Sequence, residues 1–240
     1  IDRLNVAGST ASGLVRPDKG ALTGQLALVG QGMSGDLILN AEGGGQRVTG
    51  QLALADLVLS SPVPLTIQQG EVEINALFVG PRSDIQATLN ARGVQSGGLT
   101  LGRVAAQANL VDGSGEVTAS VRGTRRSGFE LQANAAVSPN GVQVLAEGSY
   151  QRRPITLSGP ARFVRTGDGW EVQPTQINYE GGNIAIGGEF GGKTTLFAAD
   201  MENMPLQLLD LAYADLGFLG RASGLVSYQS DGTVPTGEVQ

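Results

Sequence analysis

The sequence predicts an all-β protein of many short, mostly antiparallel strands, and three observations carry that expectation. Apolar and polar residues alternate with a period of two along most of the 240 residues, the signature of strands whose successive side chains point to opposite faces. The alternating runs recur about every 10–14 residues, the spacing of consecutive strands in an all-β fold. The 37 glycines fall mostly between these runs, where turns are needed.

Taken in chain order, the first units are two copies of TGQLAL, at Thr23–Leu28 and Thr49–Leu54, with GDLILNAEG between them. EVEINA (71–76), DIQATLNARG (84–93), GEVTASVRG (115–123), FELQANAA (129–136), VQVLAEG (142–148), TQINYEGG (175–182) and NIAIGGEF (183–190) follow. One parity carries Leu26, Leu28, Leu37, Leu39, Leu52, Leu54, Val72 and Ile74, then Ile85, Leu89, Val117 and Val121. Further along it carries Phe129, Leu131, Val142, Val144, Ile177, Tyr179, Ile184 and Ile186. The other parity carries Gln25, Asp36, Gln51, Glu71, Glu73, Thr88, Glu130, Gln143 and Asn178. Strands of about six residues, one face oily and one wet, are the expected result.

Turn chemistry agrees. Asn140-Gly141 and Asp168-Gly169 read as two-residue hairpin turns, because these residues tolerate positive φ, and Asp112-Gly113 and Asp231-Gly232 are weaker examples. One segment, Glu202–Gly220, breaks the rhythm. Asn203 is placed to cap a short helix with Pro205 in its first turn. Leu206, Leu209, Tyr213 and Leu216 then follow at helical spacing, and Gly217 or Gly220 ends it. The chain thus divides into a repetitive β region (1–201), a helical insert (202–220) and the start of further strands (221–240).

Composition excludes several chemistries. With no cysteine and no histidine, thiolate or imidazole zinc sites, cysteine nucleophiles and histidine triads are ruled out. A net charge of −6 disfavours a nucleic-acid partner, which wants a basic face. No apolar run reaches 18 residues, so no helical membrane span is expected. The opening IDRLNVAG has no leader character and PTGEVQ closes no element, so a piece of a longer chain is expected.

GGEFGGKT (187–194) satisfies the phosphate-loop pattern G-x-x-x-x-G-K-[ST]. Such a loop needs a helix behind it, whereas TTLFAADMENMP favours a strand and then meets a proline. The expected role is a connection between strands, with no nucleotide and no cofactor. Glu71 and Glu73 lie on the wet parity as solvated carboxylates, and no enzymatic constellation is expected. Arg125-Arg126 and Arg152-Arg153 sit near strand ends, where charge discourages edge pairing and where anionic headgroups are an alternative partner.

The oily face can be buried in three ways. Sandwich or solenoid packing closes it on itself. A transmembrane barrel turns it to lipid but wants aromatic girdles, which one Trp, four Tyr and six Phe do not supply. A trough leaves it lined rather than filled. Alternation alone does not choose among them.

Residues 204–239, MPLQLLDLAYADLGFLGRASGLVSYQSDGTVPTGEV, resemble a recurrent segment of the TamB family, within the AsmA-like superfamily of bacterial envelope proteins. Pro205-Leu206, Leu219-Gly220 with Gly224, and Gly232-Thr233 match its pattern, whereas Pro235 and Gly237 come earlier than the usual spacing. The TGQLAL and GxLxLxAxG units resemble the β-rich middle of the same family. The resemblance implies a long, strongly curved sheet, a β-taco with an apolar groove lined by the oily-parity residues named above. It implies a periplasmic bridge, tethered to the inner membrane by an N-terminal anchor outside this chain, that carries phospholipids toward the outer membrane. It also implies a TamA-type outer-membrane barrel as partner, and no catalytic residues. The alternative is a scaffold for outer-membrane protein assembly whose apolar face is a packed core.

Overall fold

The computed structural model describes residues 4–6, 9–60, 64–167, 169–212, 217–231 and 235–240. Asp168, Tyr213, Leu216, Gly232 and Thr233 therefore lie outside the described residues. The fold is all-β and antiparallel, with one short helix. Two compact units divide at Gly123/Thr124, a point at which the sequence shows no break. The boundary expected at 201/202 is not a unit boundary, because one strand, Thr195–Pro205, runs straight through it.

In the first unit the strands are β1 (Leu4–Val6), β2 (Ser9–Asp18), β3 (Ala21–Gly30), β4 (Met33–Glu42), β5 (Gly45–Leu59), β6 (Leu65–Val79), β7 (Arg82–Ser96), β8 (Leu99–Val111) and β9 (Ser114–Arg125). From β1 to β8 each pairs antiparallel with the next. Most have 10 to 15 residues rather than six, roughly 35–50 Å of extended chain at about 3.3 Å per residue. They are longer because the alternation continues through glycines and because the turns consume as few as two residues.

The register converts sequence parity into rows that cross the sheet. Leu28 lies opposite Gly35, Gly35 opposite Leu52, Leu52 opposite Val72, Val72 opposite Leu89 and Leu89 opposite Ala106. A second row runs Leu26, Leu37, Gly50, Ile74, Ala87, and a third runs Leu39, Val48, Ala76, Ile85, Leu110. The two TGQLAL copies flank β4, so that the glycine of one copy falls in a leucine row. The leucine levels that gap: a Cβ at Gly50 would come within 2.5 Å of Leu37 Cδ2.

In the second unit the strands are β10 (Ser127–Ser138), β11 (Gly141–Tyr150), β12 (Arg153–Leu157), β13 (Ala161–Thr166), β14 (Gly169–Tyr179), β15 (Gly182–Phe190), β16 (Thr195–Pro205), β17 (Arg221–Ser230) and β18 (Thr236–Val239). β12 and β13 share one lane between β11 and β14, and the remaining pairs are consecutive. Bulges between Val172 and Thr175 and between Met201 and Met204 shift the register and keep the apolar residues of β14 and β16 on one face.

Between β16 and β17 the chain forms a 3₁₀ turn (Leu206–Leu208) running into α1 (Leu209–Ala212). Asn203 is not its cap. Asn203 remains in β16 with φ +49, its N–H bonded to Ser223 Oγ at 2.8 Å, and the extended Pro205 is the residue that precedes the helical turn. Two hairpins also sit one residue earlier than expected. Ser138 pairs with Gly141 and Thr166 with Gly169, so Pro139-Asn140 forms the first turn and Gly169 opens a strand instead of closing the second. Asp112-Gly113 is a turn as expected, with φ of 51° and 73°.

Candidate functional site

All the predicted lining residues of each unit lie on one face of its sheet, and none is exposed. Leu26, Leu28, Leu54, Phe129, Tyr179 and Ile184 are buried. Leu37, Leu39, Leu52, Val72, Ile74, Ile85, Leu89, Val117, Val121, Leu131, Val142, Val144, Ile177 and Ile186 are half-buried. Side chains next to them in a row partly cover one another.

Small residues on this face are shielded by their neighbours, as at Ala76 and Ala91 (4% and 3% exposed), whereas Ala53 on the opposite face is exposed. The chain also exposes 14685 Å² in total. Two separate compact domains of half its mass would together expose about 12,200 Å², on the usual scaling of surface with mass.

At one place in the first unit the apolar face is packed. Leu54, Ile67, Ala91 and Val94 form a buried cluster, joined by Met33, Leu57, Leu65 and Leu101. The positive φ at Asp56 (+52) and at Gly93 (+63) interrupts the alternation of the long strands here, while the pairing register is the same on either side. Sequence reasoning included Leu54 of the buried four, with Val72 and Leu89 among the residues packed against them; it passed over the others because the alternation is interrupted at Asp56 and Gly93.

The second unit contains residues that sequence reasoning missed. Tyr150, with no exposed surface, packs on Tyr179, ring centroids 6.2 Å apart and tilted by 44°. The Tyr179 hydroxyl donates to the Tyr150 carbonyl at 3.3 Å, while the Tyr150 hydroxyl has no hydrogen-bond partner among the described residues. Burial, then the neighbouring Glu180, pushes the Tyr179 phenol above its ordinary value. At the other end of the same face stand Phe163, Val172, Phe197 and Tyr228 in one row, with Trp170 opposite Phe190 beside them. Phe190, Phe197 and Tyr228 are exposed. Trp170 and Phe197 lie in strands interrupted by bulges, which period-two scanning passes over.

The opposite face is a ladder of amides, hydroxyls and carboxylates. Gln25 donates to Asp36 at 3.1 Å, Gln51 to Glu73 at 3.3 Å and Arg47 to Asn75 at 2.7 Å. Arg47 also holds Glu42 through both carboxylate oxygens, and that hydrogen bonding lowers the Glu42 carboxyl below its usual range. Glu71 and Glu73 are exposed members of this ladder. A cavity of about 790 Å³ on the second unit is lined chiefly from this side, with Glu171, Glu189, Asp200 and Glu238 around Ala185, Leu196, Ala198 and Leu225. No cluster of three or more potential metal-ligating side chains occurs among the described residues, and no described helix is long and apolar enough to cross a membrane.

The glycine-rich stretch at 187–194 ends β15 and leads through residues 191–194 directly into β16. Lys193 is exposed on this connection. The helix N-terminus on which a phosphate loop depends is not formed here.

The geometry thus defines antiparallel sheets with one apolar face and one polar face. No family model matches the chain, and neither does any curated protein or solved structure.

Proposed function

We propose that this chain is a segment of a TamB-like periplasmic bridge that carries phospholipid acyl chains along its apolar face, without catalysis, between the inner and outer membranes. One observation carries the reading: the leucine, valine and isoleucine rows lie on one face of each unit's sheet, and most of their members are half-buried rather than sealed. A monomeric protein seldom leaves so long an apolar face uncovered unless something binds there. Acyl tails would lie against the rows while headgroups stay in water at the rim. Each methylene removed from water would contribute about 0.8 kcal/mol. Because successive strands offer a similar apolar surface, a tail would shift between them without a large barrier and without an energy source in this segment. An anchor in the inner membrane and a TamA-type barrel in the outer membrane are the partners that the reading requires.

The packed cluster at Leu54, Ile67, Ala91 and Val94 favours a second reading, an outer-membrane assembly scaffold in which the apolar face serves only as core. Native mass spectrometry after gentle extraction separates the two. Co-purifying phospholipid, lost when Leu52 and Ile74 are replaced by Asn, is the result expected of a carrier. A lipid-free protein that still captures unfolded barrel strands points to the scaffold.

A further inference from the structure

The cavity of about 790 Å³ on the second unit lies chiefly on the face that alternation assigns to water, opposite the acyl-chain rows. Strands β14 to β18 run side by side beneath it. Its floor breaks the polar ladder found elsewhere on that face: Ala198 and Leu225 are exposed in it, and Leu196 is half-buried beside them. A concavity of this volume with an apolar floor and a few polar groups at its margin is the usual form of a binding site.

The margin is acidic. Glu171 and Glu189 stand at one corner, Asp200 at a second and Glu238 at a third, and no lysine or arginine lines the cavity. Glu171 and Glu189 lie directly opposite each other on neighbouring strands, a like-charge pairing that costs stability. None of the four makes an ion pair with a described residue. Glu238 accepts from the Gln240 amide at 2.5 Å, a neutral donor that leaves the carboxylate's charge in place.

The strand register sets the spacing of the corners. Glu189 lies opposite Leu196, so Asp200 is one strand and four residues away, about 14 Å in a flat sheet. Asp200 lies opposite Leu225, which pairs with Gln240, so Glu238 is two strands and two residues away, about 12 Å. A single metal ion, whose ligands must lie within about 2.6 Å of it, does not bridge such gaps. An extended peptide does. Its residues i and i+4 point the same way about 13 Å apart, and residue i+2 meets the floor between them.

We propose that this groove binds an extended basic segment of a partner protein, reading basic–x–apolar–x–basic. Its lysine or arginine side chains lie on the corner carboxylates, and its apolar residue lies on Ala198 or Leu225. Charge complementarity selects the partner, and the apolar floor distinguishes it from a merely cationic chain. The groove is on the opposite face from the acyl-chain rows, so the proposal does not depend on the lipid-carrier reading.

The probe is a fluorescent nonapeptide, Lys-Ser-Leu-Ser-Lys-Ser-Leu-Ser-Lys, followed by anisotropy with the whole chain at low salt. Asp200→Asn and Glu238→Gln should each weaken binding several-fold, since an exposed charge pair is worth up to about fivefold. Glu73→Gln, which removes the same charge from the first unit, should leave binding unchanged. All three carboxylates are exposed, so the variants keep the fold. Leu225→Ser should weaken binding several-fold, and a peptide with serine in place of both leucines tests the floor without altering the protein. No binding at low salt, or equal weakening by Glu73→Gln, overturns the groove. A serine-substituted peptide that binds as tightly as the original also overturns it, because net charge alone would then account for the attraction.

Discussion

Leu52 and Leu54 are adjacent apolar-face residues of one strand, yet they should respond oppositely to a charge. Leu54 is 6% exposed and packs into the Ile67, Ala91 and Val94 cluster. Leu52 is half-buried between Gly35 and Val72. Truncating a close-packed leucine to alanine costs about 2–5 kcal/mol, and leaving an unpaired carboxylate in its place costs more. Leu54→Asp should therefore abolish the cooperative urea transition of a domain whose total stability is about 5–15 kcal/mol. At Leu52 only part of the roughly 1.5–3 kcal/mol transfer energy of a leucine is gained on folding, and an aspartate there reaches water by changing rotamer. Leu52→Asp should then cost about 1–2 kcal/mol, read as a lower urea midpoint with an unchanged slope. Its lipid binding should nevertheless be lost, since a carboxylate now interrupts the Leu28–Leu89 row. If Leu52→Asp unfolds the protein as completely as Leu54→Asp does, the rows are a sealed core and the reasoning is wrong.

Other predictions concern single groups. Because its folded pKa is raised, Tyr179 keeps its proton in the native state when the unfolded chain, near pH 10, has begun to lose it. Stability should consequently fall as pH rises beyond about 10, and absorbance at 295 nm should show one tyrosine ionising late. Tyr179→Phe should remove that phase, and its persistence would contradict the assignment. Gly148→Val should be severely destabilising in thermal melts, because a Cβ there would meet the Glu130 carbonyl oxygen at 2.0 Å. A loss below about 1 kcal/mol would mean that the strands separate more easily than overpacked interiors usually allow. Lys193→Ala should leave the melting profile within about 0.5 kcal/mol of wild type, and ATP should shift neither protein. A nucleotide-dependent shift abolished by the substitution would restore the phosphate-loop reading.

The faces of the sheet were legible because period two is a local property: each parity can be read without knowing which strand lies alongside. Register was less so. Gly141 and Gly169 look like the second residue of a hairpin turn, yet each is the first residue of a strand. A Cβ at Gly141 would come within 2.3 Å of the Phe163 carbonyl oxygen, and one at Gly169 within 2.6 Å of that of Phe190. These glycines serve the close approach of a neighbouring strand, which a linear sequence does not display. The helix was legible from Pro205 and the leucine spacing. Its tie to Arg125 and Arg126 was not, because those residues lie 84 to 86 positions away in the chain.

The lone tryptophan allows the central claim to be tested in the unmodified chain. Trp170 is half-buried on the apolar face, opposite Phe190 and two residues from Val172. Phospholipids brominated along the acyl chain should quench its fluorescence when they bind, whereas the same lipids brominated only at the headgroup should quench it weakly. Bound lipid with no quenching from the acyl-chain label, or no lipid bound at all, would mean that hydrocarbon does not lie along these rows.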